Sequence, residues 1–93
     1  MANTSGLQAI HQADDAQVDI YRSQIQDAGG RYCFSGNVEI RKVGGKDVIV
    51  DGLNRAVACH KENVNARIEY VSENEFLTDD DIRGMSFYRV SSM

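Results

Sequence analysis

The fold of this chain is decided at residues 38–50, which read VEIRKVGGKDVIV. Apolar and charged residues largely alternate over 38–43, and Val48 and Val50 share one face of the run after Gly44-Gly45, as in strands with one buried face. A glycine pair between two such runs is typical of a type I′ turn, because both central residues of that turn need a positive φ. The stretch therefore predicts a β-hairpin with strands at 38–43 and 46–50.

Upstream of the hairpin, residues 7–28 contain no glycine or proline and few β-branched residues, and Gly29-Gly30 follows them. This pattern predicts a long N-terminal helix that ends at a glycine C-cap. One stripe of the helix is apolar and can cover a sheet. The stripe contains Leu7, Ile10, Val18, Tyr21, Ile25 and Ala28. Residues 1–6 are small and polar, and we expect them to form a flexible N-terminus.

The rest of the chain reads as short elements separated by turn residues. A strand is predicted at 31–35, a helix at 53–61 with Asp51 as its cap, a strand at 66–71, a short acidic helix capped by Thr78 and ended by Gly84, and a last strand at 85–90. For residues 56–59 a strand is the competing interpretation.

This order predicts an α+β fold, a two-layer sandwich in which the long N-terminal helix packs on a mainly antiparallel sheet of four to five short strands. Ninety-three residues hold one hydrophobic core, so residues 7–93 are expected to form a single domain.

Charge and hydropathy exclude several classes of protein. Ten basic against fourteen acidic residues give a net charge of −4, and this argues against a general nucleic-acid binder. No stretch approaches the roughly 18 apolar residues of a membrane span, and residues 1–6 do not resemble a signal peptide. We therefore expect a cytoplasmic chain without a membrane partner, whose two cysteines are thiols.

Signals for catalysis, metals and cofactors are at background level. Cys33, Cys59 and His60 offer the side chains of an enzyme site, but no strained glycine-flanked nucleophile accompanies them. Their neighbours indicate that both cysteines are small buried hydrophobes. The adjacent Cys59-His60 pair has poor spacing for zinc. No cofactor and no metal are predicted.

Three groups of residues are candidates for an interaction surface. Ala9, Ala13, Ala16 and Ile20 form a second, smaller apolar face of the predicted helix, and Asp14 interrupts its main apolar stripe. Arg41, Lys42 and Lys46 form a positive patch on the hairpin. Asp79, Asp80 and Asp81 form an acidic first turn, as a helix dipole favours.

These observations favour a small acidic, non-enzymatic binding or regulatory module that acts through protein–protein contact, including self-association. Its composition is that of many accessory or inhibitor proteins of phages and mobile elements. Two alternatives stay open: a small cytosolic enzyme or enzyme subunit with a site around Cys33, Cys59 and His60, and a nucleic-acid-binding regulator that uses the hairpin from Arg41 to Lys46.

Overall fold

The computed structural model of the chain describes residues 1–71 and 79–93. Its elements in chain order are β1 (Gln8–Ala9), α1 (Asp15–Asp27), β2 (Val38–Val43), β3 (Lys46–Asp51), α2 (Leu53–Lys61), β4 (Ile68–Tyr70), α3 (Asp79–Arg83), β5 (Tyr88–Arg89) and a 3₁₀ turn at Val90–Ser92.

The five strands form one sheet in the order β4-β2-β3-β1-β5. β2 pairs antiparallel with β3, and β1 pairs antiparallel with β5, but β1–β3 and β2–β4 are parallel. The α+β class is thus confirmed, whereas the prediction of a mainly antiparallel sheet was wrong because the sheet is mixed. Alternation of apolar and polar residues indicates which face a strand buries and says nothing about the direction of its neighbour.

The β2–β3 hairpin agrees with its sequence pattern. Gly44 and Gly45 have φ of 56° and 80°, and the strands on either side pair from Val43 and Lys46 outward. The helix predicted at 53–61 is also present, but Asp51 is not its cap. Gly52 holds the N-cap position at φ 91° without a side-chain hydrogen bond.

The N-terminal helix is shorter than predicted. α1 has 13 residues and begins at Asp15, while Gln8 and Ala9 belong to a strand. Asp14 is the N-cap, and its carboxylate accepts a hydrogen bond from the Gln17 N–H at 3.1 Å. An aspartate in this position satisfies one of the free N–H groups of the first turn, and so the helix begins there rather than at residue 7.

Residues 2–4 are held by the rest of the chain, in contrast to the flexible N-terminus that we expected. Ala2 and Ala66 form an antiparallel bridge with N···O distances of 2.9 and 2.8 Å. The buried Thr4 hydroxyl donates to the carbonyl oxygen of Ala56 at 2.8 Å. Long-range hydrogen bonds of this kind leave no local signal in a short polar sequence.

Two further strand predictions need correction. Residues 31–35 form no strand, because they join no ladder of the described sheet; Phe34 packs against both Tyr21 and Tyr32, while Cys33 is exposed. The last strand covers only Tyr88–Arg89. The predicted cap Thr78 lies outside the described residues.

The two faces of the sheet bury different amounts of apolar surface. α1, α2 and one face of the sheet share the larger core, which includes Ile25, Ile40, Ile49 and Val57. Val43 and Val48 lie on the other face, in a smaller cluster with Ile10 and Phe87. Val48 and Ile49 are adjacent in β3 and therefore point to opposite faces. The face that contains Ile49 is called the helix face below, and the face that contains Val48 is called the far face.

Candidate functional site

The apolar helix surface predicted from the sequence does not exist as one patch. Ala9 is buried in β1, and Ala13 is half-buried against the larger core. Asp14 lies at the start of α1 as its cap rather than in an apolar stripe, and its N–H donates to Asn54 Oδ1 at 2.9 Å. Ala16 and Ile20 remain exposed on α1, and a single exposed isoleucine of this kind is ordinary. The surface is lost because the helix begins after Ala13.

The structure places Arg41 and Lys46 of the predicted patch on the far face with one further cation, whereas Lys42, opposite Asp47, points to the helix face. Arg41 pairs with Val48, Val48 with Gln8, and Gln8 with Arg89, so Arg41 and Arg89 lie in one row on the far face. Lys46 Nζ lies 4.5 Å from the centre of the Phe87 ring. Arg41, Lys46 and Arg89 are together called the basic end. Sequence reasoning missed Arg89, because only the pairing of β5 with β1 and of β1 with β3 brings it into the row of Arg41.

An acidic row lies at the opposite end of the same strands. Glu39 is paired with Asp51 of β3 on one side and with Glu69 of β4 on the other. A hydrogen bond from the Glu39 carboxyl to Asp51, followed by partial burial and by the charges of Asp51 and Glu69, raises the pKa of Glu39. Arg55 reaches Asp51 at 3.4 Å, and the Asn37 amide donates to Glu69 at 3.2 Å.

The outer side of β4 is a strand edge. Toward β2, the Arg67 carbonyl accepts from the Val38 N–H and the Val71 N–H donates to the Ile40 carbonyl, both at 2.8 Å. Backbone groups alternate in direction along a strand, so the N–H and C=O groups of Ile68 and Tyr70 point away from the sheet. Among residues 1–71 and 79–93, β4 has no strand beyond it. These four backbone groups are called the open edge.

The side chains and neighbours of the open edge leave it accessible within the described residues. Ala2 occupies the adjacent position on the same side of the strand, opposite Ala66. The Tyr70 side chain is 56% exposed, and its hydroxyl lies 3.3 Å from Asp47 Oδ2. Ile68 is half-buried against the larger core. The sequence predicted a strand here but could not show that it lies at the edge.

A cleft of about 280 Å³ lies where β3 passes into α2. His11, Tyr21, Asp51, Asn54 and Arg55 contribute to its wall. Arg55 is paired with Asp51, and its guanidinium packs so closely on Gly52 that a Cβ there would lie 2.9 Å from a nitrogen. The cleft is smaller than the usual small-molecule site, and its cation is already neutralised.

Cys59 and His60 are consecutive residues of α2, and consecutive side chains of a helix do not face each other. Both cysteines are free; Cys59 is buried as predicted, whereas Cys33 is exposed, contrary to the prediction. Burial, with a smaller effect of Cys33, raises the pKa of the Cys59 thiol to about 11. A buried thiol of this pKa is protonated at neutral pH and is a poor nucleophile.

The acidic helix predicted near residue 80 is present as α3, which lies beside β2. Asp80 pairs with Arg83 at 3.5 Å on the surface, and Asp81 is exposed. Asp79 is the first residue of the helix. An exposed ion pair one turn apart contributes little to stability or binding.

Within residues 1–71 and 79–93, no group of three or more His, Cys, Asp or Glu side chains is placed to hold a metal ion. None of the described helices is long and apolar enough to cross a membrane. Comparison with protein-family models, curated proteins and solved structures finds no match to this chain.

Proposed function

We propose that this chain is a small, acidic, non-enzymatic binding module that acts through protein–protein contact and uses the open edge of β4. The supporting observation is the pair of outward N–H and C=O groups at Ile68 and Tyr70, beside the antiparallel bridge between Ala2 and Ala66. A strand edge binds another polypeptide by backbone hydrogen bonds, which a nucleic acid or a small metabolite does not supply in that spacing.

The bridge at Ala66 supports the proposal in a second way. It places one antiparallel residue on this edge, so the geometry needed for strand addition is already present there. The exposed Tyr70 ring provides apolar area next to the backbone groups. Aromatic side chains of this kind are enriched in protein interfaces.

The test is a proline at position 70. The Tyr70 N–H points outward, so Tyr70→Pro removes one donor of the open edge and leaves the β2–β4 hydrogen bonds in place. Tyr70→Ala is the matched control, because it removes the same side chain and keeps the donor. We expect a partner retained from lysate of the source cells by wild type and Tyr70→Ala to be lost with Tyr70→Pro.

The retained protein is then purified, and its Kd is measured by calorimetry against all three forms. Equal Kd values for Tyr70→Pro and Tyr70→Ala would contradict the proposed role of the edge. Circular dichroism checks that the three forms are equally folded.

The basic end supports a second candidate, a regulator that binds a polyanion such as single-stranded nucleic acid. Its favouring observation is the position of Arg89 in the row of Arg41, which adds a third cation to Arg41 and Lys46 on the far face. The test titrates labelled single-stranded DNA between about 50 and 200 mM salt. Steep loss of affinity with salt and with Lys46→Ala plus Arg89→Ala, but not with Lys61→Ala, would support this candidate.

A further inference from the structure

We infer that the segment bound at the open edge is extended, runs antiparallel to β4, and carries a Lys or Arg opposite Glu69 between two apolar residues opposite Ile68 and Tyr70. This inference rests on the proposed function and specifies the partner of that site. It is carried by the register of the strand edge and by the charges next to it.

The register follows from the bridge between Ala2 and Ala66. Both hydrogen bonds of that pair are made, and hydrogen-bonded pairs recur at every second residue of an antiparallel ladder. The register of that bridge extends along β4, so a strand bound antiparallel in the same line at Ile68–Tyr70 continues it. Its hydrogen-bonded pairs then fall at Ile68 and Tyr70, and four backbone bonds form.

The faces of the sheet set the apolar positions of the segment. Ile68 and Tyr70 are the neighbours of Val38 and Ile40, whose side chains lie in the larger core. Residues directly opposite each other in a strand pair share a face. Apolar residues opposite Ile68 and Tyr70 would therefore extend the helix face and cover the exposed Tyr70 ring.

The charge of the middle residue follows from the acidic row. Glu69 points to the far face, where Glu39 and Asp51 continue the row across β2 and β3. The partner recorded for Glu69 within residues 1–71 and 79–93 is the neutral amide of Asn37, and the only ion pair recorded in the row there joins Asp51 to Arg55. The pKa of Glu39 is raised first by its hydrogen bond to Asp51 and by burial, and then by the charges of Asp51 and Glu69. A cation of the incoming strand opposite Glu69 offsets the negative charge of the acidic row, and an acid there adds to that charge.

The experiment uses two capped peptides as probes, acetyl-Thr-Val-Lys-Val-Thr-amide and the same peptide with Glu in place of Lys. Amide signals of the whole chain are followed by NMR up to millimolar peptide. We expect shifts at Ile68 and Tyr70, and about fivefold tighter binding of the Lys peptide at low salt, since opposite and like cross-strand charges differ by about that factor. Added salt should reduce the difference.

Two sets of controls locate the effect. N-methylation of the two Val residues blocks the paired N–H groups and should abolish binding, whereas N-methylation of Lys modifies an N–H that points away from β4. Glu69→Gln should remove most of the preference for Lys. Asp19→Asn, which removes a charge of the same sign from the exposed side of α1, should leave the preference unchanged.

Each other outcome overturns the inference in a recognisable way. Equal affinity of the two peptides, with shifts at Ile68 and Tyr70, contradicts the charge preference and keeps the edge as a binding surface. Shifts at these residues that grow with protein concentration alone assign the edge to a second copy. Absence of shifts with either peptide contradicts this choice of segment, while the comparison of Tyr70→Pro with Tyr70→Ala still decides the proposed function.

Discussion

The two faces of the sheet differ in what they bury and in what they present. The helix face contributes to a core with fourteen buried residues in the described part of the chain. The far face has a cluster with two, Val43 and Val48, and carries the basic end and the acidic row at opposite ends of its strands. A large apolar core stabilises a fold without regard to partner, whereas charges on a thinly covered face act on whatever approaches them.

Because the two faces bury different amounts of apolar surface, we expect them to contribute differently to stability. Substitutions on the helix face should change stability strongly, and those on the far face should change it weakly. The proposed contact surface lies where the faces meet, at the edge strand β4. The expected effects on stability decrease from the helix face to the acidic row.

The largest effect is expected on the helix face. Ile40→Ala should lower the free energy of unfolding by about 3 kcal/mol, because Ile40 is fully buried and the cavity will not close completely. Urea denaturation measures the change. Ile20→Ala is the matched control, since Ile20 is 52% exposed on α1, and it should cost less than about 0.5 kcal/mol. Similar costs for the two variants would contradict the assigned core.

The next largest effect is expected at the turn that joins β2 and β3. Gly44→Val with Gly45→Val should destabilise the fold by about 2 kcal/mol, because both positions have positive φ, which β-branched residues adopt only with strain. Thermal unfolding measures the loss. Gly6→Ala serves as control, since nothing lies within 4 Å of a Cβ built there and no positive φ is involved. A double variant as stable as wild type would place the turn elsewhere.

A smaller effect is expected from the cluster of the far face. Val48→Ala should cost about 1.5 kcal/mol, because two methyl groups leave a small cluster that can partly close around the space. The measurement is the same urea denaturation used for Ile40→Ala. A cost equal to or above that of Ile40→Ala would show that the faces stabilise the fold equally.

The smallest effect concerns the acidic row. The folded-state pKa of Glu39 is raised, so its contribution favours the fold at low pH and is lost as the pH rises through the range around the ordinary value of 4.5. Glu39→Gln should therefore be slightly more stable than wild type at pH 7, by less than about 1 kcal/mol. The two should converge as the pH is lowered through that range. A wild type that is the more stable form at pH 7 would contradict this sign.

The sequence predicted local structure correctly where residues close together in the chain decide it. The glycine pair of the hairpin and the apolar positions of α2 were both interpreted correctly. The start of α1 was also readable in principle, since an aspartate three residues before a glutamine is close to a capping-box pattern. Helical periodicity from residue 7 obscured this signal, because Leu7 and Ala9 are apolar for a different reason, their burial in and beside β1.

The candidate surfaces divide in the same way. Arg41, Lys42 and Lys46 were predicted as a patch because one tight turn holds them together. Arg89 lies in the row of Arg41 only because β5 pairs with β1 and β1 pairs with β3. The open edge depended on the place of β4 at the end of the sheet, and the alternation of residues 66–71 is equally compatible with a central strand.

By itself, the sequence determined the α+β class, the hairpin, α2 and the acidic helix, because φ preferences, side-chain periodicity and capping act between residues close in the chain. Only the tertiary structure decided the mixed strand order, the anchoring of Ala2 on Ala66, the burial of Ala9 and the position of β4 at the edge. These features depend on which apolar faces are removed from water together. That choice is made between segments far apart in the chain, whose local patterns allow several partners.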